Sequence, residues 1–324
     1  MKRTKILVQY IVLLLFVFHQ FKAIAQTSKK YTQEILFTNE NDFYLLNHKD
    51  GYYTNGFFIQ YSKAFQKNEK KVIQRFSLGQ KMFTVGNRRA VWAWLEPFDR
   101  PYCGYLFARF TNDKFINAST LLSTYAELGV TGDLSLARQL QEWYHKKLQL
   151  FNYPYWEKQI PNEIGLNVGI KYATTLNLNK NKNSIFKIVP VANANAGTFF
   201  IDANVGAYFC LGAFEENENS VLFNAALDKQ NKAPKHKQEL FVYFYPQIIF
   251  QGYNTTVQGN IFKKETNPEV FIADVETFMY QQTVGIAFAK KRWTTKLEII
   301  FQTKEATTQL RNHNYAGLHF AYRF

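Results

Sequence analysis

The chain has 324 residues, a formal charge of +14 and 17 % aromatic residues, with 31 Phe and 20 Tyr. After the N-terminal segment no run approaches the roughly 18 consecutive apolar residues of a spanning helix, which excludes a helical membrane protein. Two cysteines make no disulfide framework, so Cys103 and Cys210 are open to two readings: one pair formed on export, or two apolar thiols beside Tyr102 and Phe209.

The N-terminus carries Lys2, Arg3 and Lys5, then an apolar run from Ile6 to Phe18, then Ala23-Ile24-Ala25. This is the order of a secretory signal with a small-x-small cleavage site, and residues 1–25 are expected to be removed. An uncleaved N-terminal anchor is the alternative. The segment accounts for +4 of the charge and leaves +10 on residues 26–324. In an exported chain that excess favours anionic lipid head groups over nucleic acid, and a basic surface with no specific partner is equally compatible with it.

From there to the end the pattern has period 2. A first strand ends in the polar cluster Thr38-Asn39-Glu40-Asn41-Asp42, and a second opens on Asp50-Gly51-Tyr52-Tyr53-Thr54-Asn55-Gly56. Paired as a hairpin joined by residues 43–51, they bring both clusters to one end. Within the second, Phe57, Ile59, Tyr61 and Phe65 alternate with Phe58, Gln60, Ser62 and Ala64. Residues 135–150 break the pattern: Leu136, Leu140, Trp143, Tyr144 and Leu148 recur at helical spacing, Gly132-Asp133 signals a turn, and Ser135 is placed to cap. Such a helix is expected at a barrel rim or across its mouth, with Gln141 and His145, four apart, on one face.

Alternation resumes with Leu166, Val168, Ile170 and Tyr172, then with Phe199, Ile201, Val205 and Phe209. It continues through Phe278 to Phe288 and Thr295 to Phe301. Lys171, Asp202, Lys296 and Glu298 all fall on the small or polar face, which matters because a charge on the lipid face costs about 2–4 kcal/mol at the midplane. The final residues place Leu318, Phe320, Tyr322 and Phe324 on one face and Gly317, His319, Ala321 and Arg323 on the other. A terminal Phe after alternating aromatics resembles the signal read by the outer-membrane insertion machinery. The expectation is an all-β fold, a transmembrane antiparallel barrel of about 12 strands over residues 26–324. Residues 177–185, 213–238 and 304–314 read as loops, and the longest, Glu215 to Lys237, is expected on the extracellular side.

Five motifs in order over roughly residues 34–165 resemble the outer-membrane lipid A 3′-O-deacylases. They are Glu40-Asn41-Asp42, Tyr53-Thr54-Asn55-Gly56, Asp99-Arg100-Pro101-Tyr102-Cys103-Gly104, Gln141-x-Trp143-x-His145 and Trp156-x-x-Gln159. The chain departs from that pattern at Cys103, where Ala is usual, and at Tyr155, where Gly is. The C-terminal half is similar only in being barrel-like. The resemblance implies a twelve-stranded outer-membrane barrel that hydrolyses the ester of the 3′ acyloxyacyl group of lipid A with the help of Ca2+. It places the catalytic histidine at His145, with Gln141, Asn41, Asp42 and Thr54 at the other active-site positions, inside the barrel near the outer leaflet.

The chemistry can also be argued from the residues. An imidazole, with its ordinary pKa near 6.5, suits a general base. No Gly-x-Ser-x-Gly elbow is present, so water activated by His145 is simpler than a serine nucleophile. Asp42 and Glu40 offer oxygen ligands for a hard cation that would polarise the carbonyl, and Thr54 and Gln141 offer hydrogen-bond donors to the oxyanion. Each residue also has a plainer reading. His145 alone is as well a surface histidine, and Asn41-Asp42 and Thr54-Asn55-Gly56 are ordinary turn residues. Trp92, Trp94 and Arg100-Pro101 read as rim, while Arg100, Arg138, Lys146 and Lys147 are candidates for lipid A phosphates. The rival functions are a non-enzymatic porin or structural barrel, distinguished by conductance without hydrolysis, and an outer-membrane phospholipase, distinguished by its substrate.

Overall fold

The computed structural model describes residues 31–45, 51–86, 98–149, 155–176, 185–227 and 235–324. The signal segment, Trp92 and Trp94 lie outside the described residues. Twelve strands follow one another as β1 (Gln33–Asn41), β2 (Tyr52–Lys67), β3 (Lys70–Thr84), β4 (Cys103–Asn117), β5 (Thr120–Thr131) and β6 (Ile164–Thr174). After them come β7 (Phe186–Gly197), β8 (Phe200–Ala213), β9 (Glu239–Asn254), β10 (Phe278–Lys290), β11 (Trp293–Gln302) and β12 (His313–Arg323). Each pairs antiparallel with its chain neighbours, and β1 closes on β12 in the register Glu34↔Arg323 to Asn41↔Ala316, so the sheet has no edge.

The phase read from the sequence is the phase observed. Ile59, Phe76, Leu78, Val168 and Leu297 stand exposed on the outer face. The lumen is lined by paired polar groups: Arg75 with Asp113 at 2.6 Å, Arg109 with Glu127 at 2.5 Å, and the His319 ring with the Glu298 carboxylate at 3.0 Å. In a closed sheet only the outer face meets hydrocarbon, so polar pairs belong inside. Phe199 is the exception to the reading. It sits in the β7–β8 turn rather than in a strand, and packs edge-on against Tyr105, 5.2 Å between ring centres. Cys103 and Cys210 are both buried and free, which removes the disulfide.

The two ends differ. At the end that holds both termini of the barrel, β2–β3, β4–β5 and β10–β11 are joined by two-residue turns. The first of these places Asn68 and Glu69 at positive φ, as tight hairpin turns require. Most longer connections start and end at the opposite end, between β1 and β2, β3 and β4, β5 and β6, β9 and β10, and β11 and β12. Outer-membrane barrels keep short turns periplasmic and long loops outside, which makes this far end the extracellular one.

The β8–β9 connection contradicts its expected side. It starts at the end that holds the termini, because an even number of strands precedes it. Its described part then turns into the lumen. Val221, Leu222, Phe223, Ala225 and Leu227 are buried with Ala64, Ile73, Phe115, Leu121, Val189 and Phe241 from the wall. Lumen cations satisfy its backbone. Lys71 Nζ donates to Glu218 O and Ala225 O at 2.6 and 2.8 Å, Arg75 Nη2 to Phe223 O at 2.9 Å, and Arg323 Nη1 to Ala226 O at 3.2 Å. The Glu239 carboxylate accepts from Ser220 Oγ at 2.7 Å and Val221 N at 2.9 Å. The segment is an internal plug.

The expected helix is present as α1, Ala137–Leu148, preceded by a 3-10 turn, Gly132–Ser135. Ser135 does not cap it. Leu136, at φ 58°, holds the N-cap position instead; from one residue earlier Ser135 Oγ accepts from Ala137 N at 3.4 Å and donates to Gly132 O at 2.5 Å.

Candidate active site on the outer wall

The site begins with the parity of the strands. Ile35 and Phe37 face lipid, so Asn39 and Asn41 continue that outer face to the far end of β1; Phe76 and Leu78 do the same for Gln80, Met82 and Thr84 on β3. Polar residues there are shielded from hydrocarbon by what lies over them. Asn39 Nδ2 donates to Asn55 Oδ1 and to Gly56 O at 3.2 and 2.9 Å, and the Tyr44 hydroxyl donates to Asn39 Oδ1.

Helix α1 lies against this outer surface, not across the mouth. Gln80 Nε2 donates to Ser135 O at 2.6 Å, and Ala137 packs with Met82, Val85, Tyr102, Tyr155 and Trp156. Gly104, on the outer parity of β4, allows the approach: a Cβ there would land on Ser135 Oγ and Ala137 Cβ. The buried stripe of the helix is Ala137, Gln141 and His145, spaced by four, whereas Glu142, Trp143, Lys146 and Lys147 are exposed. The expected site inside the barrel is therefore corrected. Gln141 and His145 are turned toward the outside of the wall.

The rim residues are placed by turn and bulge geometry. Asn41 Oδ1 accepts from Phe43 N at 2.7 Å, an Asx turn that ends β1. Asp42, nearly fully buried, accepts from Gly51 N at 2.8 Å and so closes the β1–β2 connection. The β2–β3 register slips between Tyr53 and Asn55, which leaves Thr54 as the bulged residue, buried, its hydroxyl donating to Met82 O at 3.2 Å. Bulges re-aim one side chain and are frequent beside active sites. Met82 is the link between the two halves: Thr54 bonds its carbonyl, and its side chain packs on Ala137 and Trp156, whose Nε1 donates to Gln141 Oε1 at 2.6 Å. A second link runs through the tyrosines. Burial, and then Tyr144, pushes the Tyr44 hydroxyl up to about 12. Tyr144 is likewise raised by burial.

Glu40 does not join the group. Its strand parity is that of Thr38, which bonds His319 in the lumen, and its carboxylate accepts from Tyr53 OH at 2.5 Å. Among the described residues no three His, Cys, Asp or Glu side chains converge as a metal cluster. The hard oxygens that remain beside the rim are the Asp42 carboxylate and neutral donors, among them Thr84 Oγ1 and Gln80 Oε1. Those two are buried and lack a hydrogen-bond partner among the described residues. Oxygen of this kind is what Ca2+ takes, and Ca2+ needs six to eight such ligands. The donor chemistry fits, and one carboxylate makes a site to be completed by water or substrate.

Arg100 is also corrected. It is fully buried inside the far end, bonded to Glu305 Oε2 at 2.6 Å and Thr256 Oγ1 at 3.0 Å, with its guanidinium 4.0 Å from the centre of the Phe83 ring. It ties three loops together and has no free face for phosphate. Arg138 is at the surface beside Glu142 at 2.9 Å, and that bond raises its pKa further. Asn39 and Asn55 were named in the polar clusters but not as site residues, and Gln80 and the Trp156–Gln141 bond escaped the sequence reading. The polar cluster around Asn39 was the signal for the first; nothing in the spacing signals the last.

Residues 10–324 match the family model described as outer membrane protein LpxR. No curated protein matches the chain by sequence. Among solved structures, LpxR from Salmonella typhimurium superposes with a TM-score of 0.73 at 18 % identity, covering 90 % of this chain and 100 % of that one. The β domain of the Bordetella autotransporter Brka is more distant, at TM-score 0.43 and 8 % identity over 91 % of this chain and 99 % of that one. The translocator domain of the autotransporter NalP from Neisseria meningitidis has TM-score 0.42 and 6 % identity, over 100 % and 97 %.

Proposed function

This chain belongs to the LpxR family of outer membrane proteins, and on that premise we propose that it is a lipid A deacylase that hydrolyses the ester of the 3′ acyloxyacyl group. The observation that carries the reading is the placement of His145 and Gln141. They form a buried stripe of a helix laid on the lipid-facing side of the wall at the extracellular end, and Gln141 is linked through Trp156 and Met82 to Thr54. Lipid A occupies the outer leaflet there, so a site between wall and helix receives it laterally from the membrane. A lumenal site would not. The plug in the lumen argues further against the porin alternative.

In the proposed reaction a water oxygen attacks the ester carbonyl as His145 takes its proton. The negative charge that develops on the carbonyl oxygen is met by the side-chain NH2 of Gln141, while Thr54, whose hydroxyl donates to Met82 O, offers the site only its oxygen. The tetrahedral intermediate then collapses: the C–O bond to the sugar breaks, and the imidazolium returns its proton to the leaving oxygen. The fatty acid leaves as the carboxylic acid. Calcium bound at Asp42 would polarise the carbonyl as a Lewis acid. Lys146 and Lys147, exposed on the far side of α1, are proposed to meet the phosphates of the same lipid.

The test is His145→Ala. The variant should keep the heat-modifiable migration of a folded barrel and lose deacylation by at least a hundredfold, read by mass spectrometry of lipid A. Activity equal to wild type would remove His145 from the reaction.

A further inference from the structure

We infer that Trp156 is a positioning residue that sets which end of the Gln141 side-chain amide faces the reaction site. The inference rests on the deacylase reading and adds to it a residue outside the reacting groups.

The argument is one of donors and acceptors. An indole ring has a single polar atom, Nε1–H, which can only donate. It lies 2.6 Å from the Gln141 side-chain oxygen, and both residues are buried. A glutamine amide has one acceptor end and one donor end. Turning it over would set NH2 against the indole N–H and leave two buried donors facing each other. The bond therefore holds the oxygen on the Trp156 side and leaves the NH2 for the other. Among the described residues that NH2 has no hydrogen-bond partner. It is the group that can donate to an ester carbonyl as charge builds on its oxygen.

The indole is itself held from two sides. Its ring meets Tyr102 edge-on, 5.5 Å between centres, and packs with Met82 and Ala137. Just after it, Ile160 N donates to Tyr102 O at 2.9 Å, which pins the segment to the start of β4. Gln159 Nε2 donates to Asp133 Oδ1 at 2.8 Å, which pins it to the turn that launches α1. Helix, wall and indole thus move together, and the amide is oriented before substrate arrives. Catalysis gains from donors that need no reorganisation at the moment of reaction.

The experiment uses the full-length purified barrel in detergent, with lipid A bearing a 3′ acyloxyacyl group as substrate and initial rates read by mass spectrometry. Trp156→Phe keeps the aromatic bulk and removes the N–H. Its kcat should fall about tenfold or more, with KM within about twofold and the pH profile of kcat/KM keeping its midpoint. Trp156→His, which restores a ring N–H, should recover part of that loss; a purely packing role predicts no such rescue. A kcat within twofold of wild type in Trp156→Phe, alongside an inactive His145→Ala, would overturn the positioning role and leave the deacylase reading standing. Full activity in His145→Ala would overturn both. Should Trp156→Phe fail to fold, Gln141→Glu decides. Its carboxylate still accepts the indole N–H but has nothing to donate, so kcat should drop about a hundredfold, and unchanged kcat would refute the inference.

Discussion

Asp42 shows how a residue can be legible as a type and not as a place. The carboxylate next to an Asn at a strand end reads equally as turn chemistry and as a cation ligand, and the structure makes it serve the turn: its oxygen accepts from Gly51 N and closes the β1–β2 connection. Asn41 likewise terminates β1 through Phe43 N. The proposed Ca2+ dependence is tested at this scale. Excess EDTA should abolish lipid A deacylation, and added Ca2+ should restore it. In Asp42→Asn, restoration should need at least tenfold more Ca2+, because the proposed carboxylate ligand is gone. Activity that survives chelation in the wild-type protein would remove the metal. Glu40, its neighbour by two residues, was paired with Asp42 as a ligand in the sequence reading and fails because adjacent even positions on a strand point into the lumen, where Tyr53 binds it.

At the scale of the element, α1 was visible from its spacing, and so was the pairing of Gln141 with His145. What the helix leans on was not. Its contact with the wall depends on Gly104, the sixth residue of a motif whose importance was otherwise unassigned, and on the small Ala137 opposite. Gly104→Val puts branched carbon where Ser135 and Ala137 now sit, and overpacking of that kind costs about 1–3 kcal/mol or shifts the element. The expected outcome is a folded barrel with deacylation reduced at least tenfold and faster protease cleavage within 132–163. Wild-type rates in that variant would mean that the helix does not need this seat. The bulge at Thr54 is a comparable case. Thr54-Asn55-Gly56 reads as a tight turn, yet the residues lie within a continuous strand whose register slips by one. Residues on the two sides of such a slip follow opposite phases, so counting back from Ile59 does not place Thr54.

For the whole molecule, the lumen plug separates this barrel from a channel. Val221, Leu222 and Phe223 are buried in the lumen, and Lys71, Arg75 and Arg323 bond carbonyls of the same segment, an arrangement expected to hold it across the path. Reconstituted in planar bilayers, the protein should give no steady ohmic steps, and sustained porin-sized conductance would show that the segment does not stay in place. The plug was misread as an extracellular loop because it is rich in Asn, Lys and Glu, the composition of an exposed connection. The described part instead buries its apolar residues against the wall, and its backbone carbonyls find lumen cations as partners.

The amino-acid sequence by itself determined the class of fold, the phase of the strands and the helical stripe that carries Gln141 and His145. All three are periodicities imposed locally by the backbone against lipid, so neighbouring residues suffice to show them. Only the tertiary structure decided that the stripe faces the outside of the wall, that Glu40 faces the lumen, that residues 214–227 turn inward, and that Trp156 holds Gln141. These depend on strand count, on a bulge and on contacts between residues far apart in the chain, where the energy of one arrangement over another is set by partners that no local pattern names.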